Sequence, residues 1–265
     1  MASGSLVRRR SLRDLFDDTA HMFEADLLGI AVLTGIYYGV VFILLIALLG
    51  FSFMSPLAPA TEPPGLENTL SSGDEVSPVQ VIIGVVGFLL AAMAYLSGLI
   101  WLVASRFSGK PSLNFEDALV LGLRSIPQLM GVVVVQILAL GSLILIPAIA
   151  LPPLIFVTMP VAVWIGVKWS FALHAVVLEG SGVYTAFGRS GDLVKGSWLR
   201  VFGILMLIGV ALGVLLSLVG EIDTSGWISL VLTVVATPIQ GVVVTLLYGD
   251  LRARFDERQP LAESV

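Results

Sequence analysis

The sequence has no cysteine and only two histidines, His21 and His174. The first absence excludes disulfides and thiolate chemistry and leaves the redox compartment open. The second leaves no His/Cys or His/Asp metal constellation, because the two rings lie far apart in the chain. Neither a GxSxG nucleophile elbow nor a GxxxxGK[ST] phosphate loop occurs in the 265 residues. Charge is scarce as well. Only 12% of residues are charged, against roughly 25% in an average soluble domain. The polar stretches are too short for a catalytic domain, so expected catalytic, cofactor-binding and metal-binding residues are all none.

What the chain has instead is apolar length. It is 57% hydrophobic with a mean hydropathy of +1.00. No charged residue occurs in Leu27–Thr61, Val76–Ser105, Ser125–Val167, Val201–Gly220 or Thr224–Gly249. A bilayer crossing takes about 20 apolar residues. The Ser125–Val167 run is long enough for two; Pro147, Pro152 and Pro153 near its middle are where a helix should stop, and Pro160 is expected to kink the second of the two. The expected fold is an all-α polytopic membrane protein with six transmembrane helices, near residues 27–54, 79–104, 126–146, 154–177, 199–219 and 227–248. They divide the chain into a cytoplasmic N-terminal segment, 1–26, a membrane domain, 27–248, and a charged, frayed cytoplasmic tail, 249–265. Ala58-Pro-Ala60 resembles a signal-peptide cleavage site, but the run before it is too long for a signal core, so span 1 is expected to be retained.

The charges sort by sign. All fourteen Lys and Arg residues fall before span 1, between spans 2 and 3, around the junction of spans 4 and 5, and after span 6. The opposite loops contain none and hold Glu62, Glu67, Asp74, Glu75, Glu221 and Asp223. By the positive-inside rule both termini are expected in the cytoplasm. The net charge of −5 therefore conceals an acidic outer face and a mixed inner one.

Three helices are expected at the inner surface, each leading into a two-span hairpin. In Ser11–Asp26, Leu12, Leu15, Phe16, Thr19, Met22 and Phe23 recur at helical spacing, with Arg13, Asp14, Asp17, Asp18, His21 and Glu24 opposite. Ser11 with Asp14 resembles a capping box with a shorter acid. Such a helix suits the membrane interface. Asn114 could cap a short helix, Phe115–Arg124. A third helix spans Tyr184–Trp198, with Phe187, Gly191, Val194 and Trp198 on its apolar side. Gly29, Gly131 and Gly203 stand at comparable places in the three units, a pattern that predicts a threefold internal repeat.

Ionisable residues inside spans are functional candidates. Lys168 is the main one, either an inner-leaflet anchor beside Trp164 and Trp169 or a substrate or proton site. Gln136, Thr233, Thr237 and Gln240 lie deeper and serve either helix packing or a polar path. Glu179 closes span 4 and Asp250 closes span 6. Both should lie near the depth of Arg189, Asp192, Lys195, Arg200 and Arg252, and pairing among these seven would clasp the inner ends of spans 4, 5 and 6.

The runs WSFALHAVVLEG and AFGRSGDLVKGSWLR, with LYGDLR at 247–252, resemble the membrane-domain family of glycerophosphoryl diester phosphodiesterase. Glu179, Ala186, Arg189, Ser190, Leu193, Gly196, Arg200, Asp250 and Arg252 match its pattern over Lys168–Arg254. Two positions depart from it: Leu199 stands where the family has Trp, and Gly249 where it has an aromatic before the Asp. The resemblance implies a six-helix membrane protein and does not imply phosphodiesterase activity, since in fused enzymes catalysis belongs to a separate barrel. The expected role is a non-catalytic protein of a prokaryotic cytoplasmic membrane, a scaffold or lipid-facing accessory touching anionic headgroups. The alternative is a solute or lipid transporter with a path near Gln136, Lys168 and Gln240. An enzyme acting on glycerophosphodiesters is a third reading.

Overall fold

The computed structural model describes residues 5–49, 78–107, 115–222 and 226–262. Every element among them is helical: α1 Leu12–Leu49, α2 Pro78–Phe107, α3 Phe115–Ala150, a 3-10 turn at Pro152–Leu154, α4 Ile155–Trp169, α5 Ala172–Glu179, α6 Val183–Val194, α7 Trp198–Ile222 and α8 Trp227–Ala262. Six stretches are long and apolar enough to cross a membrane: Leu12–Ile46, Val81–Phe107, Gly122–Ala150, Pro152–Glu179, Trp198–Ile222 and Trp227–Arg258. The Asn114 cap, the acidic residues of the 55–77 loop and Asp223 lie outside the described residues.

α2 is the central element. It is apolar on all sides, which suits a helix surrounded by others. Tyr95, Leu99, Leu102 and Val103 enter one buried cluster with α1, α7 and α8, while Met93 and Ile100 enter a second with α3, α5 and α6. Small residues permit the close approach. A Cβ at Gly122 of α3 would meet Ser97 Oγ at 2.7 Å and the Gly98 nitrogen at 3.3 Å. One at Gly241 of α8 would collide with Leu99.

The amphipathic start of α1 ends at Asp26, whose backbone leaves the helical region (φ −144°, ψ 36°). The Asp26 carboxylate folds over Gly29, where a Cβ would lie 2.8 Å from Oδ1, and pairs with Arg106 of α2 at 2.9 Å. Ser11 and Asp14 cap the helix reciprocally: the Ser11 N–H donates to Asp14 Oδ2 (2.8 Å) and the Asp14 N–H to Ser11 Oγ (3.2 Å). The buried side differs from expectation. Leu15, Thr19 and Met22 are buried together with Asp18, which the hydrophobic pattern put on the polar side; Leu12 and Phe16 are exposed. Asp18 can be buried because two arginines neutralise it.

Four further expectations are corrected. The short helix 115–124 and span 3 form one helix, which runs through Pro127 and keeps Pro147 in its last turn. Pro127 deletes a single N–H beside the core contacts of Leu129 and Val132, and Pro147 stands so near the C-terminus that little helix follows it. The break in span 4 falls at Ser170–Phe171, not at Pro160, which sits inside α4. The third surface helix stops at Val194, and Gly196 turns the chain with a positive φ of 78°. It buries Ala186, Ser190, Leu193 and Val194, and Trp198 belongs to the next helix. Finally, the segment after 248 is an ordered continuation of α8 to Ala262, with Asp250, Leu251 and Ala253 buried. The three glycines chosen for the repeat have unlike surroundings. Gly29 faces Asp26, Gly131 faces Val183, and Gly203 has open space.

Candidate functional site

The polar chemistry gathers at the end of the bundle where α4 breaks, α6 lies and α8 continues. A break inside an apolar span frees backbone groups, and these need partners. Ser190 of α6, fully buried, supplies two: its hydroxyl donates to the Lys168 carbonyl (2.6 Å) and accepts from the Phe171 N–H (3.1 Å). Gln136 of α3 supplies the third, donating from Nε2 to the Trp169 carbonyl (3.0 Å). The motif serine and the deep glutamine thus hold the broken helix.

Glu179, the last residue of α5, receives Arg189 Nε at 2.8 Å and Nη2 at 3.2 Å, together with the Tyr248 hydroxyl at 2.6 Å. Arg252 stands 3.7 Å away. The Glu179 hydrogen bond holds the Arg189 guanidinium above its ordinary pKa, and that group also lies over the Phe255 ring at 4.6 Å. One carboxylate therefore ties α5, α6 and α8 together.

Asp250 is the second centre and has no exposed surface. Arg254 Nε reaches both its oxygens (3.1 and 3.0 Å), Arg200 of α7 pairs at 3.2 Å, and the Arg10 backbone N–H donates at 2.6 Å. Arg10, only 1% exposed, turns its guanidinium toward Asp18 (2.8 Å) and the Leu6 carbonyl (2.7 Å); Arg8 also grips Asp18 at 2.8 Å. The Arg10 carbonyl accepts from Arg200 and Arg254. Residues 5–11 thus thread between α1, α7 and α8. Gly249 makes room for them, since a Cβ there would overlap the Leu6 carbonyl. An aromatic side chain at that position would collide with the segment.

Asp192 and Lys195, grouped with the clasp by sequence, are exposed and form no ion pair among the described residues. They line a cleft of about 620 Å³ with Lys168, Trp164, Trp169 and Trp198. Lys168 Nζ lies 4.4 Å over the Trp164 ring, and its stem approaches Gly191 of α6. The lysine is therefore level with the surface helix and not isolated in the apolar span.

Residues 112–253, just over half of the chain, match the domain family of unknown function DUF7847. The chain belongs to the DUF7847 family. No curated protein and no solved structure shows significant similarity to it. The DUF7847 stretch holds the Ser190, Gln136 and Glu179 contacts, the cleft, and Asp250 itself. The groups that bury Asp250 come partly from outside it: Arg10, Asp18 and Arg254 all precede or follow 112–253.

The deeper polar residues do not converge. Gln136 is committed to Trp169, whereas Gln240 is exposed on the outside of α8. Thr237 lies 2.7 Å from the Tyr38 hydroxyl of α1 and donates to the Thr233 carbonyl, a helix-to-helix contact. His174 is buried, with Nε2 3.3 Å from Thr245 Oγ1 and its ring stacked on Tyr248; its Nδ1 has no partner among the described residues. Sequence reasoning missed Arg8, Arg10, Asp18, Asp26, Ser190 and Tyr248. Ser190 was visible as a motif residue. The N-terminal arginines counted only toward orientation, and nothing local marks their burial.

Proposed function

We propose that the protein is a non-catalytic integral membrane scaffold or lipid-facing accessory of a prokaryotic cytoplasmic membrane. Both termini lie in the cytoplasm, and anionic headgroups of the inner leaflet are its contacts. The observation that carries this reading is the confinement of all fourteen Lys and Arg residues to one set of helix ends. The resemblance of residues 168–254 to a membrane domain that accompanies enzymes without performing their chemistry points the same way. So does the close glycine-mediated packing around α2, which suits a static bundle.

The absence of cysteine makes the orientation directly testable. Ser5→Cys should resist a membrane-impermeant maleimide on intact spheroplasts and react after lysis, while Thr61→Cys should react on both. Labelling of Ser5→Cys from outside would overturn the orientation. Mass spectrometry of co-purified lipid tests the accessory role, which predicts retained anionic phospholipid in excess over its share of the membrane.

A further inference from the structure

We propose that the cleft between α4, α6 and the first turn of α7 binds the phosphate of one anionic phospholipid from the adjoining leaflet. This rests on the lipid-facing reading above and assigns it a place. The space comes first: about 620 Å³, open on one side, is enough for a phosphate with its glycerol but not for acyl chains. The second point is charge left unspent. The arginines around Asp18, Asp250 and Glu179 are committed to those carboxylates, whereas Lys168 and Lys195, on different walls of the cleft, have no carboxylate partner among the described residues. Asp192 also lines the cleft and leaves it with a net charge of +1.

The Lys168 ammonium rests on the Trp164 ring, and the Lys195 backbone is fixed at the end of α6, where its carbonyl accepts from Arg258 and its exposed side chain stands at the cleft. An ammonium against an indole keeps its outer N–H groups free for an anion. The rim is aromatic and anchored: Trp198 Nε1 donates to the Trp164 carbonyl at 3.4 Å, and Trp169 packs on Phe187 at 4.6 Å. Tryptophans beside lysines mark headgroup depth. From the cleft toward the far end, α4 exposes Phe156 and Val157 and α7 exposes Met206 and Val210, an apolar track for the chains of a lipid. That track, with the tryptophan rim, selects a lipid over a soluble phosphate, and the unpaired lysines select an anionic lipid over a zwitterionic one.

The test is native mass spectrometry of the full chain, released from detergent micelles doped with phosphatidylglycerol, phosphatidylcholine or inorganic phosphate. The wild type should retain one phosphatidylglycerol in preference to phosphatidylcholine, and inorganic phosphate should not compete. Near a membrane each lysine is worth about fivefold in affinity for anionic lipid, so Lys168→Gln with Lys195→Gln should lower retention by at least about tenfold. Gly188→Leu keeps both charges but fills the cleft from a position with open space around it, and it should lower retention while leaving the melting temperature unchanged. Full retention by both variants would overturn the cleft and leave the lipid-facing role standing. Equal retention of the two lipids by the wild type would overturn both. Displacement of the lipid by inorganic phosphate would show an anion site without lipid selectivity and overturn the proposal.

Discussion

The two ends of the bundle are built on different principles. At the basic end, α8 buries Leu246, Leu247, Tyr248, Asp250 and Leu251, and α7 buries Val201 and Ile204. Toward the other end the same helices expose Ile228 and Val231 on α8 and Val210, Val214 and Leu218 on α7. α1 changes in the same sense, from buried Ile30 and Leu33 to exposed Phe42 and Ile43. Apolar residues gain nothing by leaving lipid for protein, so helices need not close wherever hydrocarbon surrounds them. Polar groups do need protein partners, and they draw the helices together where they occur. Side-chain chemistry holds one end of this molecule, and the bilayer is positioned to cover the other.

That contrast breaks most decisively at Asp250. Asp250→Asn removes the charge that holds Arg200 and Arg254, and breaking a buried pair costs about 3–5 kcal/mol. The variant should lose most of its folded yield and melt well below the wild type in detergent. An unchanged melting curve would mean that the basic end does not carry stability.

Gly249→Tyr probes the same centre sterically. It should expel residues 5–11 and expose Arg10 to trypsin, whereas the buried side chain of the wild type should stay uncut. Protection equal to the wild type would show that the segment is held without Gly249.

Smaller effects belong to the partly exposed centre. Glu179→Gln and Arg189→Gln should each cost about 1–2 kcal/mol, read as a modest drop in melting temperature. If both leave it unchanged, the clasp between α5, α6 and α8 has no energetic weight. Gln136→Ala frees the Trp169 carbonyl and should cost about 1 kcal/mol. The least effect is expected at the far end, where Leu218→Ala should stay within about 0.5 kcal/mol. A loss there comparable to that of Asp250→Asn would abolish the contrast between the ends.

Legibility follows the same division. Six spans could be read from runs of uncharged residues because crossing a bilayer is a local property of about 20 consecutive side chains. The grouping of Glu179, Arg189, Arg200, Asp250 and Arg252 near one depth followed from where those runs stop. Asp192 and Lys195 were at the right depth but on the wrong side of α6, since periodicity cannot tell which neighbour a helix meets. Pro160 misled because proline predicts a kink, whereas the helix breaks where Ser190 and Gln136 are placed to receive the freed backbone.

The sequence by itself determined the class of protein, the number of helices apolar enough to span a membrane and the gathering of basic residues at one set of their ends, because these depend on composition and on short-range periodicity. Only the tertiary structure decided which charges are buried and what holds them. Arg10 and Asp250 are 240 residues apart, and no local pattern records that the N-terminal segment lies in a groove cleared by Gly249. A buried charge is tolerable only where opposite charge and hydrogen bonds from several elements converge on it, and convergence is a property of the folded chain.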